Sequence, residues 1–276
     1  MSRDFDQIVN AIQTVRENSD GDLRPHELAA KVGKSKTELD QLFERWAGVD
    51  ITMFFRYLRP DFIKSQLNRK VTLFDNQNDS SASNGAITPN QFIEIEPMKS
   101  DDLSHGTEIF YSTGQTEYGE ILIGSTGQGI CLISFMDGKL STEDFISTEI
   151  QNGIPVQQQR DIHVETVKFF QGNLPEGSRL KLHLMGTPFQ ISVWRALLEI
   201  WPGRLITYGE LANGMGKPNA SRAVGSVIGQ NHIAYLIPCH RVVASTGIVG
   251  NFRWGSDRKA AMIAKELSQK EKARLR

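Results

Sequence analysis

Cysteine is scarce in this chain, with only Cys131 and Cys239 among 276 residues. Two cysteines cannot build a disulfide framework or a Cys-rich zinc site, so a reducing, intracellular compartment is expected. No run of about 18 apolar residues occurs, which excludes a transmembrane helix. The opening residues Met1-Ser2-Arg3-Asp4-Phe5-Asp6 lack the apolar core of a signal peptide. An excess of charge is also missing, since the formal net charge is −1. That balance hides an asymmetry. Residues 71–187 hold 6 Lys+Arg against 16 Asp+Glu, and residues 188–276 hold 13 against 5. A basic last third fits a segment that meets a polyanion, or a final helix on which Lys265 to Arg276 gathers five cations. With 39% hydrophobic and 23% charged residues, the chain has the composition of a globular protein, and its length fits two domains or three small ones.

Apolar spacing predicts a helix over 5–17 through Ile8, Ile12 and Val15. A turn at 18–22 follows, then a short helix, a turn at Gly33, and a second helix capped by Ser35 and closed by Gly48. Leu28, Ala29, Val32, Leu39, Leu42 and Phe43 supply a shared core, which is helix-turn-helix spacing. A further helix through Ile51, Phe54, Phe55, Tyr57 and Leu58 breaks or kinks at Pro60. These pieces, with Gly33-Lys34-Ser35 and Tyr57-Leu58-Arg59, resemble the DNA-binding half of AraC-type regulators. That family carries two helix-turn-helix units and this chain carries one. Its outward positions Lys36, Thr37, Asp40, Gln41 and Glu44 are little basic, so promoter contact through residues 23–59 and a purely packing role both remain open.

Polar, small residues at 75–91 read as a linker. The pattern then turns to strands. Residues 120–124 and 129–135 flank a Ser-Thr-Gly-Gln turn as a hairpin, with Cys131 as a packed core thiol. Helices near 141–151 and 159–171 and a strand at 180–184 complete an α/β unit. His105, His163 and His183 have no spaced metal-ligand partners and read as structural or solvated.

The last third carries the chemistry. Thr187 to Gln190 and Thr207 to Glu210 are capping boxes that open two helices. A turn at 214–218 and Asn219 introduce a third, Ala220–Gln230, giving a second helix-turn-helix. Val224, Val227 and Ile228 form its buried stripe. Its other face shows Ser221, Gly225, Ser226 and Gly229, with Arg222 near the start. Such a face suits close approach either to DNA or to a neighbouring helix. Asn231 follows, and then Pro238-Cys239-His240-Arg241-Val242, where an imidazole beside a thiol can take its proton. The glycine-punctuated loop 247–255 leads to a helix with Ala260, Ile263, Ala264 and Leu267 inward and Glu266 beside them.

Arg222-Ala223-Val224-Gly225, Asn231, Ile237 to Val243, Gly247, Gly250 to Gly255 and Arg258-Lys259 resemble the active-site region of O6-alkylguanine-DNA alkyltransferases, also called methylated-DNA–protein-cysteine methyltransferases. The similarity is to the C-terminal half of Ada-type proteins and runs from about 108 to 270. It implies a multi-domain α and α/β chain. Residues 1–73 would form a helical helix-turn-helix segment and 74–107 a linker. Residues 108–186 would form a small ribonuclease-H-like α/β subdomain and 187–276 a winged-helix-like catalytic domain. Cys239 would accept the alkyl group irreversibly, once per molecule. His240 would deprotonate it through a water, and Glu266 would orient that imidazole. Asn231 would brace the loop, and Tyr208 would protonate the departing base. Arg222 would fill the place of a flipped guanine, while Ala220, Ser221, Gly225 and Ser226 approach the minor groove. Val242, Phe252 and Arg253 would line the base pocket. The implied partner is double-stranded DNA bearing O6-alkylguanine or O4-methylthymine. The implied protein is a monomer of the cytoplasm and nucleoid, with no cofactor, metal or membrane. A regulator that senses alkylation, or a lesion binder without transfer, are the alternatives. No cysteine precedes Cys131, so the zinc-cysteine domain of Ada-type proteins is not expected in these residues.

Overall fold

A computed structural model of the chain describes residues 3–18, 23–67, 91–99, 102, 106–136, 138, 140–173 and 177–275. The expected linker core, most of the expected 18–22 turn and His105 lie outside them. The described residues are mixed α/β and divide into two compact units, one drawn from 91–199 and 226–239, the other from 3–67, 200–225 and 240–275. Among them, no helix is long and apolar enough to cross a membrane.

The first unit is built on a six-stranded sheet. Its strands are β1 (Ile93–Pro97), β2 (Thr107–Thr116), β3 (Gly119–Ser125), β4 (Ile130–Phe135), β5 (Gly153–Gln157) and β6 (Leu180–Leu184), in the order β1-β6-β4-β3-β2-β5. The anticipated hairpin is the antiparallel pair β3–β4, and β2 joins β3 antiparallel. The β1–β6, β4–β6 and β2–β5 pairs are parallel. Every residue of β4 is buried, which requires cover on both faces. The helix α6 (Thr142–Glu149), through Ile146, covers a cluster containing Ile109, Tyr111, Leu122 and Cys131. The helix α7 (Asp161–Phe170) packs on β2 where Gly114 leaves room, since a Cβ there would stand 2.5 Å from Val167 Cγ2. The helix α8 (Pro188–Leu198) starts at the foreseen Thr187–Gln190 box and buries Val193, Trp194 and Leu197.

Two strands were not anticipated. The strand β1 lies inside the stretch read as linker. Its apolar alternation, Ile93 and Ile95, is too brief to signal a strand, and its backbone is satisfied by β6. The strand β5 contains Pro155, a residue that argues against a strand interior but is tolerated on the sheet edge that β5 occupies.

The second unit is helical. It contains α1 (Arg3–Glu17), α2 (Pro25–Lys31), α3 (Lys36–Ala47), α4 (Ile51–Leu58), α5 (Pro60–Leu67), α9 (Tyr208–Gly214) and α11 (Ser256–Leu275). Ser35 Oγ accepts from Glu38 N at the start of α3, and Gly48, left-handed at φ 77°, closes it, as the sequence indicated. Pro60 separates α4 from α5 by occupying the first position of α5. The exposed cations of α3 are held by carboxylates: Lys36 Nζ is 2.5 Å from Asp40 Oδ2, and Arg45 Nε is 2.8 Å from Asp4 Oδ2. The helix α11 packs against α1, α3 and α4. Ser268 Oγ donates to the Ala47 carbonyl at 2.7 Å, Tyr57 OH donates to Glu271 at 2.6 Å, and Lys265 Nζ lies 4.5 Å from the centre of the Trp46 ring. The two-residue strands β7 (Ile206–Thr207) and β8 (Val242–Val243) pair in parallel. The remaining helix, α10 (Ser221–Gly229), is where the chain passes from this unit to the first. The sequence pattern predicts that helix from Ala220 with Asn219 as its cap. Instead Pro218–Ala220 form a 3-10 turn with proline at its first position, and Asn219 lies inside it.

Candidate active site

Cys239 closes the first unit and is 3% exposed. Asn231, 1% exposed, organises the turn that carries it. Its Oδ1 accepts from Ile233 N at 2.9 Å, and its Nδ2 donates to the carbonyls of Ile233 (3.0 Å) and Ile237 (3.2 Å). The same amide nitrogen is 3.2 Å from Cys239 Sγ. A single side chain thus ties both ends of the 231–239 segment and directs a polar hydrogen at the sulfur.

The second unit holds the ionisable groups. His240 is fully buried, and its Nε2 is 2.9 Å from Glu266 Oε1. Glu266 also accepts from Arg241 Nε (3.0 Å to Oε2) and Nη2 (2.9 Å to Oε1), and from Gly203 N at 2.9 Å. Arg241 Nη1 donates to the Ile200 carbonyl at 2.5 Å. Burial alone would raise the Glu266 carboxyl, but the Arg241 charge, then His240, outweigh it and hold it well below the usual carboxylate range. Glu266 is therefore ionised. Burial pushes His240 below the usual imidazole range, with the Glu266 carboxylate opposing and Arg241 and Lys259 assisting. The imidazole is neutral, and its bond to a carboxylate places the proton on Nε2 and the lone pair on Nδ1. A neutral, oriented imidazole is the form that can accept a proton.

The β7–β8 ladder sets the register of the remaining parts. Val242 lies opposite Ile206, and Val243 opposite Thr207, the cap residue of α9. Tyr208, the first residue of α9, is thereby held beside the segment that follows His240-Arg241. Its ring lies against α10, because a Cβ built on Gly225 would stand 3.5 Å from Tyr208 Cδ1. Arg222 and Ser226 are exposed, and Ala220, Ser221 and Gly225 are partly so. Val242 is fully buried and its carbonyl accepts from Lys259 Nζ at 2.7 Å. Phe252 is half-buried, edge-on to Trp254 with centroids 5.1 Å apart, and Arg253 is exposed.

Sequence reasoning missed Arg241 and Lys259. The sequence marks them only as members of the motif and of a basic last third, with no role of their own, whereas they are 4% and 1% exposed and make internal bonds. The available signal was the order Cys-His-Arg, which places a cation next to the base. Two other histidines, His163 and His183, are structural. His163 is bonded to Ser112 Oγ (2.9 Å) and Ser125 Oγ (2.8 Å), and burial lowers it to about 4. His183 is bonded to Thr126 Oγ1 (2.9 Å) and Asp102 Oδ2 (3.2 Å). Among the described residues, no three His, Cys, Asp or Glu side chains gather as a metal site.

The two thiols differ in environment. Cys131 is buried in the sheet, and burial pushes its thiol up to about 12. Near neutral pH it therefore stays a thiol, the less nucleophilic form. Brief treatment of the folded protein with iodoacetamide is therefore expected to label Cys239 at least tenfold faster than Cys131, read by peptide mass spectrometry. Equal labelling would contradict this assignment.

A family model described as 6-O-methylguanine DNA methyltransferase, DNA binding domain, matches residues 188–268. The Escherichia coli K12 protein named bifunctional transcriptional activator/DNA repair enzyme Ada is 28% identical over 97% of this chain and 77% of its own length. The methylated-DNA–protein-cysteine methyltransferase of Methanosarcina acetivorans is 35% identical over 57% of this chain and 98% of its own. A crystal structure of the Mycobacterium tuberculosis O6-methylguanine methyltransferase is 31% identical, covering 58% of this chain and 93% of that one with a TM-score of 0.48.

Proposed function

The chain belongs to the methylated-DNA–protein-cysteine methyltransferases, enzymes of direct-reversal DNA repair, and from that premise we propose that Cys239 is the acceptor consumed in the reaction. The observation that carries the assignment is the charge assembly that begins one residue later: a neutral His240 bonded to an ionised Glu266 that Arg241 neutralises. His240 Nδ1 takes the thiol proton through a water, and Glu266 stabilises the imidazolium that results. The sulfur attacks the methyl carbon of O6-methylguanine. An S–C bond forms, the C–O bond breaks, and its electron pair passes into the purine. Tyr208 supplies a proton so that guanine leaves neutral. The bonds balance without a cofactor. The thioether has no leaving group, so each molecule acts once.

A methyl group on a base stacked within a duplex does not reach a sulfur that is 3% exposed, so the base must leave the helix stack. Exposed Arg222 suits the vacated position, and the small residues Ala220, Ser221, Gly225 and Ser226 allow α10 to approach a groove. The backbone at Val242, with Phe252 and Arg253, forms the base pocket. We read residues 108–186 as a ribonuclease-H-like subdomain and residues 187–276 as a winged-helix-like domain. The same reading places the chain with duplex DNA, as a monomer in the cytoplasm at the nucleoid, and extends its substrates to O4-methylthymine.

The test is incubation with duplex DNA carrying labelled O6-methylguanine. Label is expected on the peptide containing Cys239, at no more than one methyl per protein. Cys239→Ala is expected to abolish transfer and to retain DNA binding. Repeated turnover, or label elsewhere, would sink the mechanism.

A second reading, promoter recognition by α3, draws on the similarity to the Ada activator across the N-terminal helices. The pairing of Lys36 with Asp40 and of Arg45 with Asp4 leaves the exposed face of α3 near neutral, which weakens phosphate attraction. Footprinting with the whole chain and an α3 surface variant decides between them.

A further inference from the structure

The turn that carries Cys239 has a second anchorage that the reaction above does not use. His232 directly follows Asn231. Its carbonyl accepts from Ile133 N at 2.9 Å, and Ala234 N donates to the Ile133 carbonyl at 2.9 Å, so residues 232–234 run alongside β4. The His232 side chain turns to α6, where its Nδ1 is 2.7 Å from Glu149 Oε2. The Glu149 side chain is 12% exposed and lies in the last turn of α6, which contains no basic residue. A largely buried carboxylate at the negative end of a helix is doubly unfavourable there, and a donor from outside the helix offsets both effects. The imidazole of His232 is such a donor.

We propose that the His232–Glu149 pair is a latch that fixes the Asn231 side chain, and through it the Cys239 sulfur, for methyl transfer. The proposal rests on Cys239 being the acceptor. His232 is a positioning residue, since its bonds to α6 and β4 act on the sulfur through Asn231. Its backbone bonds set the height of the segment along β4, and its side chain sets the rotation about that line. Asn231 is one residue away, and its Nδ2 must hold two carbonyls and Sγ at 3.0–3.2 Å together. A small rotation of the segment therefore changes the aim of Nδ2 at the sulfur before it changes the fold.

The experiment is single-turnover methyl transfer at saturating methylated duplex, with DNA affinity and melting temperature measured on the same samples. His232→Phe is expected to slow transfer about tenfold, equivalent to ~1.4 kcal/mol of barrier, with DNA affinity changed less than twofold. The exchanged variant, Glu149→His with His232→Glu, restores the pair with the imidazole at the helix C-terminus and is expected to recover most of the rate. A wild-type rate in His232→Phe would overturn the proposal. So would a loss matching the unfolded fraction alone, or failure of the exchanged variant to recover while folded. If wild-type protein takes no methyl on Cys239, the acceptor assignment fails instead. The rate of Cys239 alkylation by iodoacetamide in the same variants then reports on the latch separately, with the same tenfold criterion.

Discussion

Replacing Glu266 with alanine is expected to lower the melting temperature by about 10 °C and to slow methyl transfer by at least about a hundredfold. The two effects have separate origins. Glu266 is 4% exposed and accepts hydrogen bonds from His240, Arg241 and Gly203. Its removal leaves the Arg241 guanidinium, itself 4% exposed, with the Ile200 carbonyl as an acceptor but no counter-charge. Breaking one side of a buried ion pair costs about 3–5 kcal/mol, against total stabilities of roughly 5–15 kcal/mol. The kinetic effect arises because His240 loses the acceptor that fixes its tautomer and stabilises its charged form. A double variant, Glu266→Leu with Arg241→Met, separates them. Both charges are then gone and the volume is filled, so stability is expected to return toward wild type while transfer stays lost. Melting curves and labelled transfer on both variants check this. A Glu266→Ala protein that melts within about 2 °C of wild type would show that Arg241 is compensated elsewhere.

Much of this site could be read in the sequence because its local signals are short-range. Thr187 with Gln190 and Thr207 with Glu210 announce the starts of α8 and α9, and both boxes form as expected. The adjacency of Cys239 and His240 needs no fold to be noticed. Glu266 was reached through the family resemblance rather than its spacing, since 26 residues separate it from His240. What stayed hidden depends on long-range partners. Arg241, Lys259 and Lys265 count toward a basic C-terminal third, yet each is buried. The structure thus divides that basic excess between internal bonds and exposed cations such as Arg222. The strands β1 and β5 are five residues long and stand at the two sheet edges, so they lack the periodicity that revealed β3 and β4.

The N-terminal helices give the second large effect. The sequence suggested that α11 buries one stripe, Ala260, Ile263, Ala264 and Leu267. Instead every residue from Lys259 to Ser268 is buried, so the helix is covered on all sides. Glu266 and Lys259 serve the side facing His240 and Val242. Lys265, Ser268 and Glu271 meet Trp46, the Ala47 carbonyl and Tyr57. Tyr57 is 1% exposed, and burial together with the Glu271 carboxylate pushes its hydroxyl above the usual range, so it remains a donor. The helices α1–α5 are thus the second wall of the helix that carries the carboxylate of the site. A chain lacking residues 1–67 would lose the charge-assisted Tyr57 bond, the Ser268 bond and the burial around Trp46, together roughly 5 kcal/mol. It is expected to melt more than about 10 °C below the whole chain. Its transfer rate is expected to fall at 37 °C more than at 15 °C, because loosening of α11 acts through the folded fraction. Calorimetry and transfer at the two temperatures measure this. Equal melting points for the two chains would show that α11 stands without its N-terminal cover.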